Sequence, residues 1–253
     1  VSKDRINEAV RRILRIKYKA DLFKEPLVNR QLLDSVGSDQ HRETAREAVR
    51  ESLVLLKNQN NLLPLDKGAD VYVAGSNADD LGSQCGGWTI KWQGATGDIT
   101  EGTTIQEGIK QTLTDSGQVV NDISEADVGV VVVGEDPYTE GKGDNGKLQL
   151  SASDLEAIEE VKEAGKPVAV IMVSGRPLMI NDYIDDWDAF VAAWLPGTEG
   201  QGVADVLFGD HNFTGQLPVT WPKSNDQVPI NKGDAEYNPL FKYGAGMKME
   251  LDK

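Results

Sequence analysis

The sequence predicts an α/β fold, an open and mostly parallel sheet covered by helices on both faces. Three observations carry this. Residues 128–133 and 168–173 are short apolar runs rich in β-branched side chains, as strands buried on both faces require. Helices with clear start and stop signals alternate with them. Thr104 and Glu107 form a capping box ahead of a helix over 104–113, and Ser153 with Glu156 marks the start of another carrying Leu155, Ile158 and Val161. Gly165 then stops that helix and Pro167 prevents its continuation. Strands alternating with helices in this way build parallel sheets.

The remaining elements follow along the chain. Residues 2–20 form an amphipathic helix, with Ser2 as cap and Ile6, Val10, Ile13, Leu14 and Lys17 on one face. Such a developed apolar stripe at the start, with no Met before it, points to a domain preceding this chain; an ordinary first helix packing on this domain's own core is the other reading. Residues 21–38, with Pro26, Asn29 and Gly37, read as a linker. A second helix is expected over 38–57, burying Ala45, Ala48, Val49, Ser52, Leu53 and Leu56. Strands are expected at 71–75 and 190–194, and a short helix at 200–207.

Composition narrows the partners. With 41 acidic against 26 basic residues the net charge is −15, which repels nucleic acid and anionic membranes and suits a neutral substrate such as a sugar. No apolar run approaches the ~20 residues needed to span a bilayer. The single cysteine, Cys85, has no partner for an internal disulfide, and the two histidines, His41 and His211, speak against His-rich metal sites and a Ser-His-Asp triad. Gly-x-Gly-x-x-Gly and Walker patterns are absent.

In sheets of this kind ligands bind beyond the carboxyl ends of the strands. After the 128–133 strand comes Gly134-Glu135-Asp136-Pro137-Tyr138-Thr139-Glu140-Gly141-Lys142-Gly143-Asp144-Asn145-Gly146, with four carboxylates inside ten residues. A carboxyl group serves as a general acid at neutral pH when burial raises its pKa, and nearby Tyr138 together with a partner domain is expected to provide such burial. The same spacing suits a solvated acidic loop, a cation-binding loop or a simple turn at 144–146. After the 71–75 strand come Trp88 and Trp92, four apart and bracketed by glycines. One is read as a stacking platform for a sugar ring and one as structural packing. Ser174-Gly175-Arg176-Pro177 follows a third strand; it lacks the nucleophile-elbow pattern, and Arg176 is read as fixing the 134–146 loop through an ion pair.

Five stretches combine with these: Leu55-Leu56-Lys57-Asn58 with Leu62-Leu63-Pro64-Leu65; Gly86-Gly87-Trp88-Thr89-Ile90 with Trp92-Gln93-Gly94; Gly134 to Glu140; Ala193-Trp194-Leu195-Pro196-Gly197-Thr198-Glu199-Gly200-Gln201-Gly202; and Phe213-Thr214-Gly215-Gln216-Leu217-Pro218 with Trp221. In this order the sequence resembles glycoside hydrolase family 3, in its branch of β-glucosidases and β-glucan exohydrolases, from about residue 1 to 246.

The resemblance implies a retaining two-domain enzyme that cleaves β-glucosides or β-glucans from the non-reducing end, without metal or cofactor. Its first domain is a (β/α)8 barrel with an aspartate nucleophile; its second is a six-stranded α/β sandwich. Residues 1–20 then correspond to the last barrel helix, 21–38 to the linker and 39–253 to the sandwich, and the nucleophile segment is missing, so the chain alone is expected to be inactive. Glu140 matches the acid/base and Trp88 one wall of the aglycone clamp. Glu135 is the second choice for the acid/base and a candidate for holding the loop. Lys142 and Asp144 are placed near Glu140. A periplasmic or extracellular location is implied in the same way. The competing readings are a non-catalytic module that binds glycan or stabilises the barrel, and, by fold analogy alone, a regulatory sugar- or nucleotide-binding α/β protein.

Overall fold

The computed structural model describes residues 1–251. The chain divides into two compact units, Val1–Arg42 and Glu43–Lys253. In the first, helix α1 (Lys3–Lys19) is capped by Ser2, whose side chain accepts the Arg5 N–H at 3.2 Å. Asp4 opens the helix and Lys17 and Lys19 close it, each complementing the helix dipole. None of its residues is buried, and the stripe of Ile6, Val10, Ile13 and Leu14 is exposed. A 3₁₀ helix at Arg30–Ser35, capped by Asn29, interrupts the segment expected to be linker.

Helix α2 (Asp39–Ser52) stops five residues earlier than the periodicity predicts, and Val54–Asn58 forms strand β1 instead. The physical reason is burial on all sides. Leu53, Val54 and Leu55 have no exposed surface, whereas a helix here would bury one stripe. The apolar run therefore enters the sheet, antiparallel to its neighbour, with Val54 opposite Ala192 and Leu55 opposite Val191.

From there strands and helices alternate: β2 (Asp70–Ala74), α3 (Leu81–Cys85), α4 (Ile105–Thr112), β3 (Gln118–Val120), β4 (Val128–Gly134), α5 (Ala152–Glu163), β5 (Val168–Val173), β6 (Ala189–Trp194) and α6 (Gly200–Leu207). The Thr104–Glu107 capping box on α4 forms as expected. At α5 the cap is Ser151, two residues before the expected Ser153; its hydroxyl accepts the Asp154 N–H at 3.1 Å. Gly165 turns the chain after α5 at φ +70°. The short elements α3 and β3 leave no periodic trace in the sequence.

The six strands lie in the order β1-β6-β5-β4-β2-β3, parallel except for β1. Alternate residues feed opposite faces, so each strand supplies two cores. Val130, Val132 and Ile171 join Val49, Ile105, Ile109 and Val203 from α2, α4 and α6. Val131, Val133 and Met172 join Ile158 and Val161 of α5 with Phe190, Trp187 and Trp221 on the other side. Trp221 anchors the C-terminal segment there by donating its indole N–H to the Leu178 carbonyl at 2.9 Å.

Candidate active site

The strand order fixes where a site can form. The connection leaving β2 runs to β3 on one side, and the connection leaving β4 runs to β5 on the other. The loops beyond β2 and β4 therefore part, and the crevice between them is the switch point of the sheet. The Trp88–Trp92 segment follows β2 and the 134–146 segment follows β4, while Ser174–Pro177 follows β5 beside them.

The β2 loop is shaped by α3 and its cap. The Asp80 carboxylate accepts the Ser83 N–H at 2.7 Å and the Gly97 N–H at 2.9 Å, closing residues 80–97 into one unit. Gln84 on α3 is buried and uses its side-chain amide three ways. It donates to the carbonyls of Thr103 and Gly197 and accepts the Ile105 N–H at 2.7 Å. Beyond α3 the chain turns tightly, with Trp88 at φ +64° and Ile90 at φ +59° and the Trp88 N–H donating to the Trp92 carbonyl at 3.0 Å. Left-handed backbone at bulky and β-branched residues is strained. The turn throws both indoles outward: Trp88 is 69% exposed and Trp92 49%, their rings edge to face at 6.3 Å. Neither is a core residue, which departs from the expectation that one would be structural packing.

The β4 loop carries the acidic cluster. Glu140 is exposed, opens a 3₁₀ helix at Glu140–Gly143 and adopts φ +49°. The burial expected from Tyr138 does not reach it, because that ring packs instead on Gly143 and Arg176. The residue before it, Thr139, is buried and donates its N–H to Gln93 Oε1 at 3.2 Å, joining the two loops. They are pressed close elsewhere too. A Cβ on Gly87 would lie 2.3 Å from the Tyr138 carbonyl oxygen, and one on Gly94 would lie 2.5 Å from Pro137 Cβ. Lys142 sits with Nζ 5.8 Å over the Trp92 ring, a third link between the loops, and Asp144 is exposed.

Glu135 and Arg176 come together at the base. Arg176 Nη2 donates to Glu135 Oε1 at 2.6 Å, and its Nη1 reaches the Gly143 carbonyl at 2.7 Å. The Ser174 hydroxyl donates to Glu135 Oε2 at 2.7 Å. The Arg176 guanidinium stacks over Tyr138, 4.2 Å from the ring centre. Burial, with the Glu135 charge beside it, pushes the Tyr138 hydroxyl up to about 12. A cleft of ≈ 560 Å³ opens above, lined by Ser76, Glu135, Asp136, Tyr138, Asp144 and Arg176. Among the described residues no three or more His, Cys, Asp or Glu side chains converge as a metal ion would need. Cys85 is free, and burial raises its thiol pKa. The bridging amides of Gln84 and Gln93 escape a reading of the sequence, since a glutamine in a loop carries no pattern of its own.

Residues 53–249 match the glycosyl hydrolase family 3 C-terminal domain. The chain belongs to glycosyl hydrolase family 3. It is 32% identical to the lysosomal beta glucosidase of Dictyostelium discoideum over 98% of this chain and 34% of that protein. It is 30% identical to the periplasmic beta-glucosidase of Salmonella typhimurium, over 94% of this chain and 37% of that protein. The crystal structure of an exo-1,3/1,4-beta-glucanase from a Pseudoalteromonas species superposes with a TM-score of 0.89 at 40% identity, covering 99% of this chain and 34% of that one. The family 3 chain thus spans about a third of the length of the curated relatives it matches.

Proposed function

We propose that this chain is the acid/base-bearing half of a retaining β-glucosidase or exo-β-glucanase, acting on the non-reducing end of β-glucosides and β-glucans. The observation that carries the reading is the placement of Glu140. An exposed carboxylate, held in left-handed backbone, stands on the same rim as two exposed tryptophans, on a loop tied down at both ends by Arg176. The relatives' activities, β-glucosidase and exo-1,3/1,4-β-glucanase, support the substrate class.

On this reading the nucleophile is an aspartate on a (β/α)8 barrel preceding this domain. Residues 1–20 are the last helix of that barrel, 21–38 the linker and 39–253 the sandwich. The exposed stripe of α1 supports this, since an apolar face of that kind needs a partner. The aspartate attacks the anomeric carbon while Glu140 gives its proton to the departing oxygen. Glu140 then takes a proton from the water that releases the sugar, so the two carboxyl groups belong about 5–5.5 Å apart. Closure of the barrel over Glu140 supplies the desolvation that the isolated loop lacks. Trp88 forms one wall of the site for the leaving group. Glu135, paired with Arg176, holds the loop. A periplasmic or extracellular location is supported by the naming of the Salmonella relative.

The exposure of Trp88 and Trp92 also favours a second reading, a glycan-binding module that contributes no acid. Replacing Glu140 by Ala, in the chain assayed with its barrel, separates the two. As the acid, Glu140 is worth about 10²–10⁴-fold on substrates with poor leaving groups and far less on activated aryl glucosides. An equal loss on both would remove it from that role.

A further inference from the structure

The two loops of the site share a support that is not part of either. Asp154 lies in the first turn of α5, is 1% exposed, and points its carboxylate up between β2 and β4. One oxygen accepts the Ser76 N–H at 3.1 Å and the other the Gly134 N–H at 3.3 Å. Those amides lie beyond the paired region: the β2–β4 ladder ends at Ala74 opposite Val131, and Gly134 is paired with β5 on its far side. Where the strands part at the switch point, each loses its neighbour, and Asp154 takes that neighbour's place on both.

Among the described residues only one backbone bond continues from the β2 exit to β4 past the ladder, the Asn77 N–H donating to the Val132 carbonyl at 3.1 Å, and it uses neither the Ser76 nor the Gly134 amide. Gly75 sits at φ +96° where a Cβ would meet the Val132 carbonyl oxygen at 2.2 Å, and a Cβ on Gly134 would meet the Val173 carbonyl oxygen at 1.9 Å. Both exits are therefore glycines without side chains to pack. The Asp154 charge is met by the two backbone amides and by the N-terminus of α5, whose cap Ser151 accepts the Asp154 N–H. A carboxylate suits the position because both amides need an acceptor. An amide side chain would turn an N–H toward one of them.

We infer that Asp154 is a positioning residue that sets the β2 and β4 loops relative to each other, and through them the spacing of Trp88 and Glu140. Its effect on turnover rests on the proposed role of Glu140; its effect on the loops does not.

The test is Asp154→Asn, with Asp154→Ser as a second variant that keeps the position polar but reaches neither amide, and Lys162→Ala as a control that removes the contacts to Glu159 and Asp186 at the far end of α5 and leaves Ser151 and the tie alone. Amide hydrogen exchange on this chain is expected to rise at least tenfold at residues 75–94 and 134–146 in an Asp154 variant, with β5 and β6 unchanged. Lys162→Ala is expected to leave exchange at both loops unchanged and to lower Tm by no more than roughly 2 °C. With the barrel supplied, the Asp154 variants should lose at least tenfold more kcat on poor leaving groups than on activated ones, the same signature as Glu140→Ala but smaller. Unchanged exchange at either loop overturns the inference, as does equal loss on all leaving groups while Glu140→Ala discriminates. If Glu140→Ala itself fails to discriminate while both loops loosen in the Asp154 variants, the acid/base assignment falls and the positioning role of Asp154 stands.

Discussion

Arg176 reaches from the exit of β5 to Glu135 at the exit of β4, Nη2 to Oε1 at 2.6 Å, and the same guanidinium holds the Gly143 carbonyl at 2.7 Å. One side chain thus clamps the start and the end of the loop that carries Glu140. Removing it leaves the largely buried Glu135 carboxylate without a counter-charge. Arg176→Ala is expected to cost about 2–3 kcal/mol, slightly below the value for a fully buried pair, and to lower Tm by roughly 5–10 °C. Arg176→Lys should recover little, since an ammonium cannot reproduce the two-pronged contact. Thermal denaturation of the three proteins checks this.

The indoles of Trp88 and Trp92 give a binding prediction. Trp88→Ala should weaken oligosaccharide binding by about tenfold, or roughly 1.4 kcal/mol, and short aryl glucosides by much less. Trp92, less exposed and covered by Lys142, should matter less in both cases. Equal rises in KM on long and short substrates would make Trp88 a support for the turn and not a contact surface.

A methyl group at Gly87 has nowhere to go, with the Tyr138 carbonyl oxygen and Thr139 Cγ2 both 2.3 Å from where it would lie. Gly87→Ala should push the two loops apart, costing about 1–3 kcal/mol of stability and, on the proposed function with the barrel supplied, at least tenfold in kcat. Gly97→Ala is the useful contrast. It has open space around it, so its cost should be that of its φ of +82° alone.

Tyr138 makes an alkaline prediction. Its folded-state pKa, raised by burial and by Glu135 to about 12, lies above the unfolded value near 10. The folded state therefore holds this proton more tightly. The stabilisation is complete below pH ~10 and is lost as pH rises from there through about 12. Tm measured against pH should fall in that window, and Tyr138→Phe should flatten the fall.

On the opposite side of the sheet Asp205 of α6 is 2% exposed and accepts a two-pronged contact from Arg46 of α2, at 2.6 and 2.5 Å, with Arg50 at 3.3 Å. Asp205→Ala should cost about 3 kcal/mol, because it takes the two-pronged partner from Arg46 while Arg50 keeps Glu43 and Glu47, and should shift Tm by roughly 6–12 °C. Added salt should change the wild-type value little, since a buried pair is poorly screened.

The fold is legible in the sequence where burial leaves a one-dimensional trace. β4 and β5 are buried on both faces and show as apolar runs, and the α4 capping box is a local pattern that local geometry reproduces. β1 is hidden because the apolar spacing of α2 continues through Leu53 and Leu56 with no Gly or Pro to end it. Only the vacant sheet edge beside β6 decides that the chain extends there. At the site, Glu135, Glu140, Arg176 and Trp88 are visible as residues in loops after strands. Their mutual arrangement is not, because Gln84, Gln93 and Asp154 act through backbone groups of segments remote in sequence. Ser151 and Asp154 have the right spacing for a helix start, but nothing in that spacing says that the carboxylate also serves two strands.

Trp88, Ile90, Glu140 and Trp194 share left-handed backbone at the same end of the sheet. Each such residue stores about 1–3 kcal/mol that the rest of the domain must withhold from relaxation. The rim is consequently the first part to let go when the domain is weakened anywhere. With the proposed barrel supplied, a substitution deep in either core would then show itself as lost turnover at temperatures where the helices still give a full circular dichroism signal. Heat inactivation would run ahead of melting, and the gap between the two curves would measure how firmly the sheet holds its own edge in shape.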